Sequence, residues 1–374
     1  MASDWANLPQ NLLHSVLERL PLLSDYLRFN IVCASWHSVA KHNKSRRAKT
    51  TTPMLLLQTR KRGTWSLYNL EEDKVLNLQL KIPNKRFCGS SKEWLIFVDK
   101  DLVVTLVNPF FRVKGRIKKE NSIICLPPLN PQPLSREWFS KTNYFVFKAT
   151  ISADPILNAN DYIVVVIYEA YCRLAFIRPG KDTTWTYVDQ RWSLIEEVVP
   201  IRDKFYAIDR WGNLLSFDSV DQFKCNMESK ADKTEQTSEK KYLVALNEKD
   251  FLMLERYATW DADSKRETMK FKVFKFSFVK CDWIEINNLG DVAIFVGDNS
   301  SIYVVASNDY GCQPNCIYFT HDHYRIRMDF KPWGPNDIGV YNIKTQSISQ
   351  PFIEDAKTMM TLTNRPPIWI APTF

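Results

Sequence analysis

The pattern of apolar positions changes once along this chain, from a helical period at its start to a strand period over most of its length. Residues 8–20 carry apolar side chains every three to four positions, which places them on one continuous face of a helix. Pro9 suits the first turn of that helix, and Pro21 ends it. A second helical periodicity covers residues 26–42. The N-terminal residues therefore predict three short helices.

These helices carry more apolar surface than so few residues can bury among themselves. Two interpretations follow from the periodicity alone. Either the helices pack on the rest of their own chain, or they dock on another protein, helix into groove. The pattern favours neither.

From about residue 54 the apolar period falls to two, which is typical of half-buried strands. About twenty such segments follow one another, separated by turn residues. Residues 98–102 (VDKDL) and 209–213 (DRWGN) have the pattern of tight hairpin connections. No amphipathic segment of helix length interrupts the series, which argues against parallel βαβ units.

So many strands indicate a sandwich, a barrel or a propeller. Units of strand, tight turn and strand recur along the chain, as in KEWLIFVDKDLVVTLVNP and RDKFYAIDRWGNLLSFD. At four strands to a blade, the series gives roughly five to seven blades. The predicted fold class is therefore mainly β, preceded by a small three-helix domain, and the pattern favours a C-terminal β-propeller over a sandwich.

Composition agrees with a small domain and a large one, since the chain has 374 residues and is 45% hydrophobic and 13% aromatic. The N-terminal MASDWANLPQ has no basic or apolar region of the signal-peptide kind. The longest apolar run, residues 162–168, is too short to cross a membrane. We therefore expect a soluble protein of the nucleus or cytoplasm, with no membrane partner and with free thiols at its eight cysteines.

The net charge of +8 raises the question of a nucleic-acid partner. The densest basic cluster, residues 41–49, is interpreted as a solvated linker, with a nuclear localisation patch as the alternative. Charges elsewhere are mixed, so a nucleic-acid partner is not expected. Residues 228–241 combine both signs of charge without apolar periodicity, which predicts a mobile polar insert between strands.

No motif for phosphate binding, dinucleotide binding, a nucleophile elbow or a zinc protease occurs in the sequence. The string with the most metal-like residue types contains Cys312, Cys316, His321 and His323. A strand between Cys316 and His321 would hold them about 16 Å apart, so no metal site is predicted. Some propellers host glycosidases, but no spacing selects an acid and base pair among the carboxylates here. We expect no catalytic residue and no cofactor.

The N-terminal residues resemble the F-box family. Its landmarks appear as Leu-Pro at residues 8–9, a leucine-rich helix over 12–20, and Val-Cys-x-x-Trp from residue 32. The resemblance implies docking on a Skp-type adaptor, and through it on the cullin and RING subunits of an SCF ubiquitin ligase. Asn11 departs from the acidic residue that is usual there. The resemblance assigns to the adaptor surface Leu8, Pro9, Leu12, Leu13, Val16, Leu17, Leu20, Pro21, Val32, Cys33 and Trp36.

Residues from about 65 to 350 resemble the plant KIB-type β-propeller domain, also called DUF295. The matching segments include CGSSKEWLIFVD, KFYAIDRWGNLLSFD, LGDVAIFVGDNSSIYVVAS and NCIYFTHD, in the order of the family. Members commonly carry an F-box ahead of the propeller. This chain has SSKEW at residues 90–94, where Ser-Ser-His-Gly-Trp is commoner, and its own sequence at 330–336.

Together the resemblances imply the substrate-recognition subunit of a ligase. An F-box would cover residues 1–45, with a linker to about 53. A propeller over 54–350 would bind an unknown target protein, and 351–374 would form a C-terminal segment. Such a subunit promotes ubiquitin transfer by proximity and performs no bond chemistry itself. The alternatives are a propeller enzyme that acts on a small molecule or glycan, and a nuclear scaffold without a ligase role.

The tryptophans divide into two groups. Those within predicted strands are expected to fill the core: Trp65, Trp94, Trp185 and Trp283. Trp211 and Trp333 lie beside glycine or proline in turn-rich segments, as does Tyr310. Exposed aromatic side chains in loops are candidate anchors for a protein partner, so these three residues are the predicted target-binding positions.

Overall fold

The computed structural model describes the chain in sixteen segments and a few single positions. These are residues 5–20, 32–42, 52–59, 63–81, 87–109, 123–130, 145–156, 161–219, 223–229, 238–247, 249–260, 266–306, 311–322, 337–350, 352–361 and 366–371, with positions 25, 28, 29, 85, 158 and 159. All eight cysteines are free thiols, as predicted. Within the described residues, no helix has both the length and the apolarity needed to span a membrane.

Three helical elements precede the strands. They are a 3-10 helix (Trp5–Asn7), α1 (Gln10–Glu18) and α2 (Ala34–His42). Positions 25, 28 and 29 between α1 and α2 are also helical. Pro9 lies at the N-cap of α1 and not in its first turn, and the helix ends at Glu18, before the predicted end at Pro21.

Six sheets make up the rest of the molecule. The strands of blades 1 to 3 are β1 (Met54–Gln58), β2 (Thr64–Asn69), β3 (Lys74–Lys81), β4 (Gly89–Ser91), β5 (Trp94–Val98), β6 (Val103–Val107), β7 (Ile123–Pro128), β8 (Val146–Ile151), β9 (Val164–Tyr168), β10 (Arg173–Ile177) and β11 (Thr186–Tyr187). Those of blades 4 to 6 are β12 (Ile195–Ile201), β13 (Lys204–Asp209), β14 (Leu214–Asp218), β15 (Cys225–Ser229), β16 (Lys240–Ala245), β17 (Phe251–Trp260), β18 (Arg266–Ser277), β19 (Asp282–Ile286), β20 (Val292–Val296), β21 (Ile302–Val305), β22 (Cys316–Phe319), β23 (Gly339–Asn342) and β24 (Ser347–Ser349).

The sheets form a β-propeller, which confirms the predicted fold class with six blades. Successive blades meet through their first strands, since β4 contacts β8, β8 contacts β12 and β12 contacts β16. These strands surround the propeller axis. The predicted hairpins at 98–102 and 209–213 join β5 to β6 and β13 to β14.

The C-terminal residues close the ring, which corrects the predicted end of the propeller near residue 350. Residues after 350 supply α3 (Glu354–Thr361) and a last strand, β25 (Ile368–Ile370), which pairs with β1. Blade 1 therefore takes its inner strand from the end of the chain and its other three strands from the beginning. A strand of only three residues carries too little periodicity to be recognised from sequence.

Alternation of side chains along each strand explains why most strands are apolar on both faces. In β1, Leu55 and Leu57 belong to the hydrophobic cluster between blades 1 and 6. Met54 and Leu56 belong to the cluster between blades 1 and 2. Six such clusters correspond to the six interfaces between neighbouring blades.

The tryptophans predicted for the core are placed there in three of four cases. Trp65, Trp94 and Trp185 are buried, whereas Trp283 is half-buried on β19. The predicted polar insert at 228–241 is shorter than expected, because its ends extend β15 and β16. Residues 230–237 of that insert lie outside the described residues.

Blade 6 departs from the simple antiparallel pattern. Its strand β20 pairs antiparallel with β21 on one side and parallel with β22 on the other. The connection between β20 and β21 reaches the first strands of blades 2, 3 and 4. Ser300 donates its backbone N–H to the carbonyl of Ser90 and its hydroxyl to Thr150, and Ser301 donates its hydroxyl to Glu197. Residues 297–301 (GDNSS) therefore lie across the propeller axis.

A buried lysine also crosses the axis. The ammonium of Lys148 in β8 forms a salt bridge with Glu197 in β12 and donates a hydrogen bond to the carbonyl of Gly297, at 3.2 Å. It also lies 5.4 Å from the ring centroid of Tyr242 in β16. One cation thus connects four blades, and Glu197 is ionically paired where it has no access to water.

Candidate functional site

The N-terminal helices hold together through aromatic and apolar contacts. The indole N–H of Trp36 on α2 donates to the backbone carbonyl of Trp5, at 2.9 Å. The ring of Trp36 lies 4.5 Å from the ring of Phe29. These contacts orient α2 against the segment that precedes α1, so Trp36 supports the helical unit from within.

Part of the apolar face of α1 is already covered. Leu13 and Leu17 are buried, and they belong to the same hydrophobic cluster as Met54 and Trp65 of blade 1. Phe29, Val39 and Ala40 join that cluster from the other helical residues. The first interpretation of the periodicity is that the helices pack on the protein's own β domain. It accounts for the burial of Leu13 and Leu17.

Leu8, Val16 and Leu20 pack against the same cluster, so only a smaller apolar surface remains accessible. Leu12 and Val32 are each 47% exposed, and Pro9, three residues before Leu12, is exposed as well. Five more of the predicted adaptor residues are half-buried: Leu8, Val16, Leu20, Cys33 and Trp36. Pro21 lies outside the described residues. The accessible apolar positions are those that a partner can contact without disturbing the shared cluster.

One of the three predicted target-binding positions is described. Trp211 is 39% exposed in the turn between β13 and β14. The carboxylate of Asp209 accepts hydrogen bonds from the backbone N–H groups of Trp211 and Asn213, both at 2.9 Å. From blade 5, the indole of Trp283 donates to the carbonyl of Gly212, at 2.9 Å. The turn is therefore fixed from two blades while Trp211 projects outward. Tyr310 and Trp333 lie outside the described residues.

The densest group of buried charges lies between blades 5 and 6. Arg266 donates to Asp322 and to Asp337, each at 2.6 Å, and Arg256 donates to Asp337 at 2.9 Å. Burial alone would raise the pKa of both carboxyls, but the two guanidinium charges outweigh it and hold these pKa values below the usual range. Each carboxylate is paired and shielded from solvent, so the group is a structural ion cluster.

The metal-like string is dispersed in the fold. Cys312 and Cys316 belong to the apolar cluster between blades 1 and 6. His321 stands next to the ion cluster, where burial and then the charge of Arg266 lower its pKa to about 3. Among the described residues, no group of His, Cys, Asp or Glu is arranged to hold a metal ion. His323 lies outside the described part of the chain.

Short N-terminal helices joined to a six-bladed propeller define the class of F-box proteins with a β-propeller. The F-box domain model matches residues 5–48, and the KIB1-4 beta-propeller model matches residues 67–342. This chain therefore belongs to the KIB1-4 β-propeller family, and the match confirms the resemblance seen in its sequence.

Relatives in Arabidopsis thaliana match this chain over nearly its whole length. The probable F-box protein At4g22060 is 24% identical, over 100% of this chain and 97% of its own length. F-box protein SKIP23 is also 24% identical, over 98% of this chain and 95% of its own length. Among solved structures, the β-propeller domain of Cps50 (Swd1) from Myceliophteria thermophila is 11% identical with a TM-score of 0.36, covering 88% of this chain and 98% of that one.

Proposed function

We propose that this protein is the substrate-recognition subunit of an SCF-type ubiquitin ligase. Its F-box docks on a Skp-type adaptor, which links it to the cullin and RING subunits, and its propeller binds a target protein. The observation that carries this proposal is the exposure of two apolar residues, Leu12 and Val32, within the segment that matches the F-box domain. In this role the protein works in the nucleus or cytoplasm.

The shared hydrophobic cluster supports the proposed mechanism. Ubiquitin transfer by proximity needs the target to be held in a defined position relative to the ligase. Leu13 and Leu17 of α1 are buried in one cluster with residues of blades 1 and 2, which fixes the helices on the propeller. A rigid connection between the F-box and the propeller holds the target close to the ligase. It therefore keeps the effective concentration of the target at the ligase higher than a flexible linker would.

We further propose that the protein is a non-catalytic subunit. Three of the described buried carboxylates, Glu197, Asp322 and Asp337, are paired with lysine or arginine. A fourth, Asp209, accepts hydrogen bonds from Trp211 and Asn213 in its own turn. A general acid or base must reach its substrate, and pairing of this kind withdraws the proton acceptor from reaction.

The adaptor surface can be tested without touching the shared cluster. Leu12→Asp combined with Val32→Asp should abolish capture of a Skp-type adaptor by the purified protein. Each buried apolar side chain contributes ~1.5–3 kcal/mol, so the two together predict a loss of affinity of at least about a hundredfold. Ile348→Asp is the matched control, because Ile348 is a similarly exposed apolar residue on β24 of the propeller.

Adaptor capture at wild-type strength by the double variant would refute the proposed docking surface. Circular dichroism must show an unchanged propeller in all three proteins. A parallel measurement addresses target binding: Trp211→Ala should reduce recovery of ubiquitinated proteins while adaptor capture stays at the wild-type level. Equal loss of both would show that the substitution acts through the fold.

A further inference from the structure

Strand β21 forms an open edge of blade 6. The strands of this blade lie in the order β21, β20, β22, β23 and β24, so β21 has a neighbouring strand on one side only. It follows the GDNSS segment that crosses the axis, and its residues Ile302 and Tyr303 line a cavity of about 270 Å³. Each of the other five blades also contributes to the wall of this cavity, through Ser90, Thr150, Pro200, Ala245 and Ala371. The open strand therefore runs along the wall of an axial cavity.

The backbone groups of Tyr303 and Val305 point away from the sheet. Along an antiparallel pair of strands, hydrogen-bonded and non-hydrogen-bonded residue pairs alternate. The N–H of Ala306 donates to the carbonyl of Asp291 at 2.6 Å, and the residues two and four positions earlier are paired with β20 in the same phase. The N–H and C=O groups of Tyr303 and Val305 therefore face the open edge. Among the described residues they have no hydrogen-bond partner.

The side chains along this edge are apolar and accessible. Tyr303 is 38% exposed and Val305 is 46% exposed, and their spacing of two places them on the same face of β21. The other face is covered, since Val304 belongs to the cluster between blades 1 and 6. The hydroxyl of Tyr303 donates to the carbonyl of Leu246, which follows β16, and this contact fixes the ring. Proteins commonly protect an open edge with a charged residue or a proline, and β21 (IYVV) contains neither.

The position of the edge determines which partner fits it. N–H and C=O groups alternate along β21, and an extended peptide presents the complementary series of partial charges. All six blades surround the cavity, so the edge of another folded sheet, including β21 of a second copy of this chain, is kept away from it. A single extended chain is narrow enough to enter.

We propose that β21 binds an extended peptide of a partner protein, which adds a strand to blade 6 at the mouth of the cavity. Main-chain hydrogen bonds to Tyr303 and Val305 hold the peptide, and its alternate side chains contact the exposed side chains of the same two residues. This inference deepens the proposed target binding and rests on it only for identifying the peptide as part of a target. Peptide binding is measured without the adaptor, so its failure leaves the result of adaptor capture unaffected.

A phage-displayed library of random heptapeptides, selected on the purified full-length protein, supplies the probes. The enriched peptides are synthesised, and their affinities are measured by fluorescence anisotropy. N-methylation of one backbone amide at a time then tests the binding mode, because the methyl group removes the N–H and obstructs strand pairing. We expect losses of at least about tenfold at every second position, where the amide faces β21, and smaller effects at the positions between.

Two variants of one residue locate the binding. Val305→Pro removes the N–H that faces the open edge and keeps the hydrogen bonds to β20, so it should lower peptide affinity at least about tenfold. Val305→Thr is the matched control, because it keeps this N–H and a branched side chain of similar size, and it should bind as the wild type does. Circular dichroism and thermal unfolding check that both variants retain the propeller.

The methylated peptides test the same contacts on the wild-type protein, so the outcome does not depend on the folding of a variant. Three results would each overturn the proposal. They are the absence of enriched peptides, equal affinity of the enriched peptides for Val305→Pro and Val305→Thr, and methylation effects without a period of two.

Discussion

His321 should make the stability of the propeller fall as the solution becomes mildly acidic. The side chain follows β22, and its Nδ1 is buried without a hydrogen-bond partner among the described residues. Burial and the positive charges of Arg266 and Arg256 lower its pKa to about 3, although Asp322 and Asp337 act in the opposite direction. The imidazole therefore stays neutral in the folded protein at pH values where it is protonated in the unfolded chain.

The size of the effect follows from linkage. The unfolded imidazole titrates near pH 6.5, so stability is complete above that pH and is lost progressively as the pH falls toward 3. At pH 5 the imidazole of His321 is protonated in the unfolded state and neutral in the folded state. This difference lowers the free energy of unfolding by about 2 kcal/mol relative to its value above pH 6.5. The side chain retains some solvent contact, but a pKa shift only half as large would still leave more than about 1.5 kcal/mol at this pH.

The measurement is the free energy of unfolding in urea at pH 7.5 and pH 5, for wild type and His321→Gln. Glutamine does not titrate, so the variant should lose about 2 kcal/mol less between the two pH values than the wild type does. His14→Gln, which removes a histidine from α1, is the matched control for the loss of an imidazole elsewhere in the chain. If His321→Gln and wild type lose equal stability on acidification, then His321 is charged in the folded protein and the burial argument is wrong.

Two further predictions concern the contacts that hold the blades together, and both are measured by urea unfolding. Lys148→Met should lower the free energy of unfolding by about 3–5 kcal/mol, because it leaves the buried carboxylate of Glu197 without its cation. Lys148→Met combined with Glu197→Met should recover most of that stability. Equal stability of the single and double variants would refute this explanation. Gly89→Ala should cost at least about 1–3 kcal/mol, since a Cβ there would lie 2.2 Å from the carbonyl oxygen of Ala149 and would separate β4 from β8. Wild-type stability of Gly89→Ala would show that the two strands can move apart freely.

The sequence predicted the propeller well because each strand repeats the same rule. Neighbouring blades bury both faces of a strand, so MLLLQ is apolar throughout and still sends alternate residues to opposite interfaces. The rule is local, and it holds for the inner strands of the blades, whereas outer strands such as β15, β19 and β24 are largely exposed. The blade number could be bracketed for the same reason, since four strands recur with regular turns.

Contacts that join distant parts of the chain were not predictable. GDNSS has the residues of an ordinary hairpin turn, and only the fold shows that it crosses the axis to reach Thr150 and Glu197. Likewise, periodicity placed Leu12 and Leu13 on one apolar face. The packing of α1 leaves Leu12 at 47% exposure and buries Leu13 completely, a difference that depends on blades 1 and 2.

Because the helices and the propeller share one hydrophobic cluster, adaptor binding and target binding cannot be separated cleanly by deleting the helices. Deletion of residues 1–45 would remove Leu13, Leu17, Phe29, Val39 and Ala40 from a cluster that extends into blades 1 and 2. The apolar residues left behind would face water, and newly exposed patches of that kind bind other proteins non-specifically. Proteins recovered with such a truncated propeller would therefore include false targets. Leu12→Asp with Val32→Asp leaves the cluster intact, so the proteins it retains while losing the adaptor are the sounder target candidates.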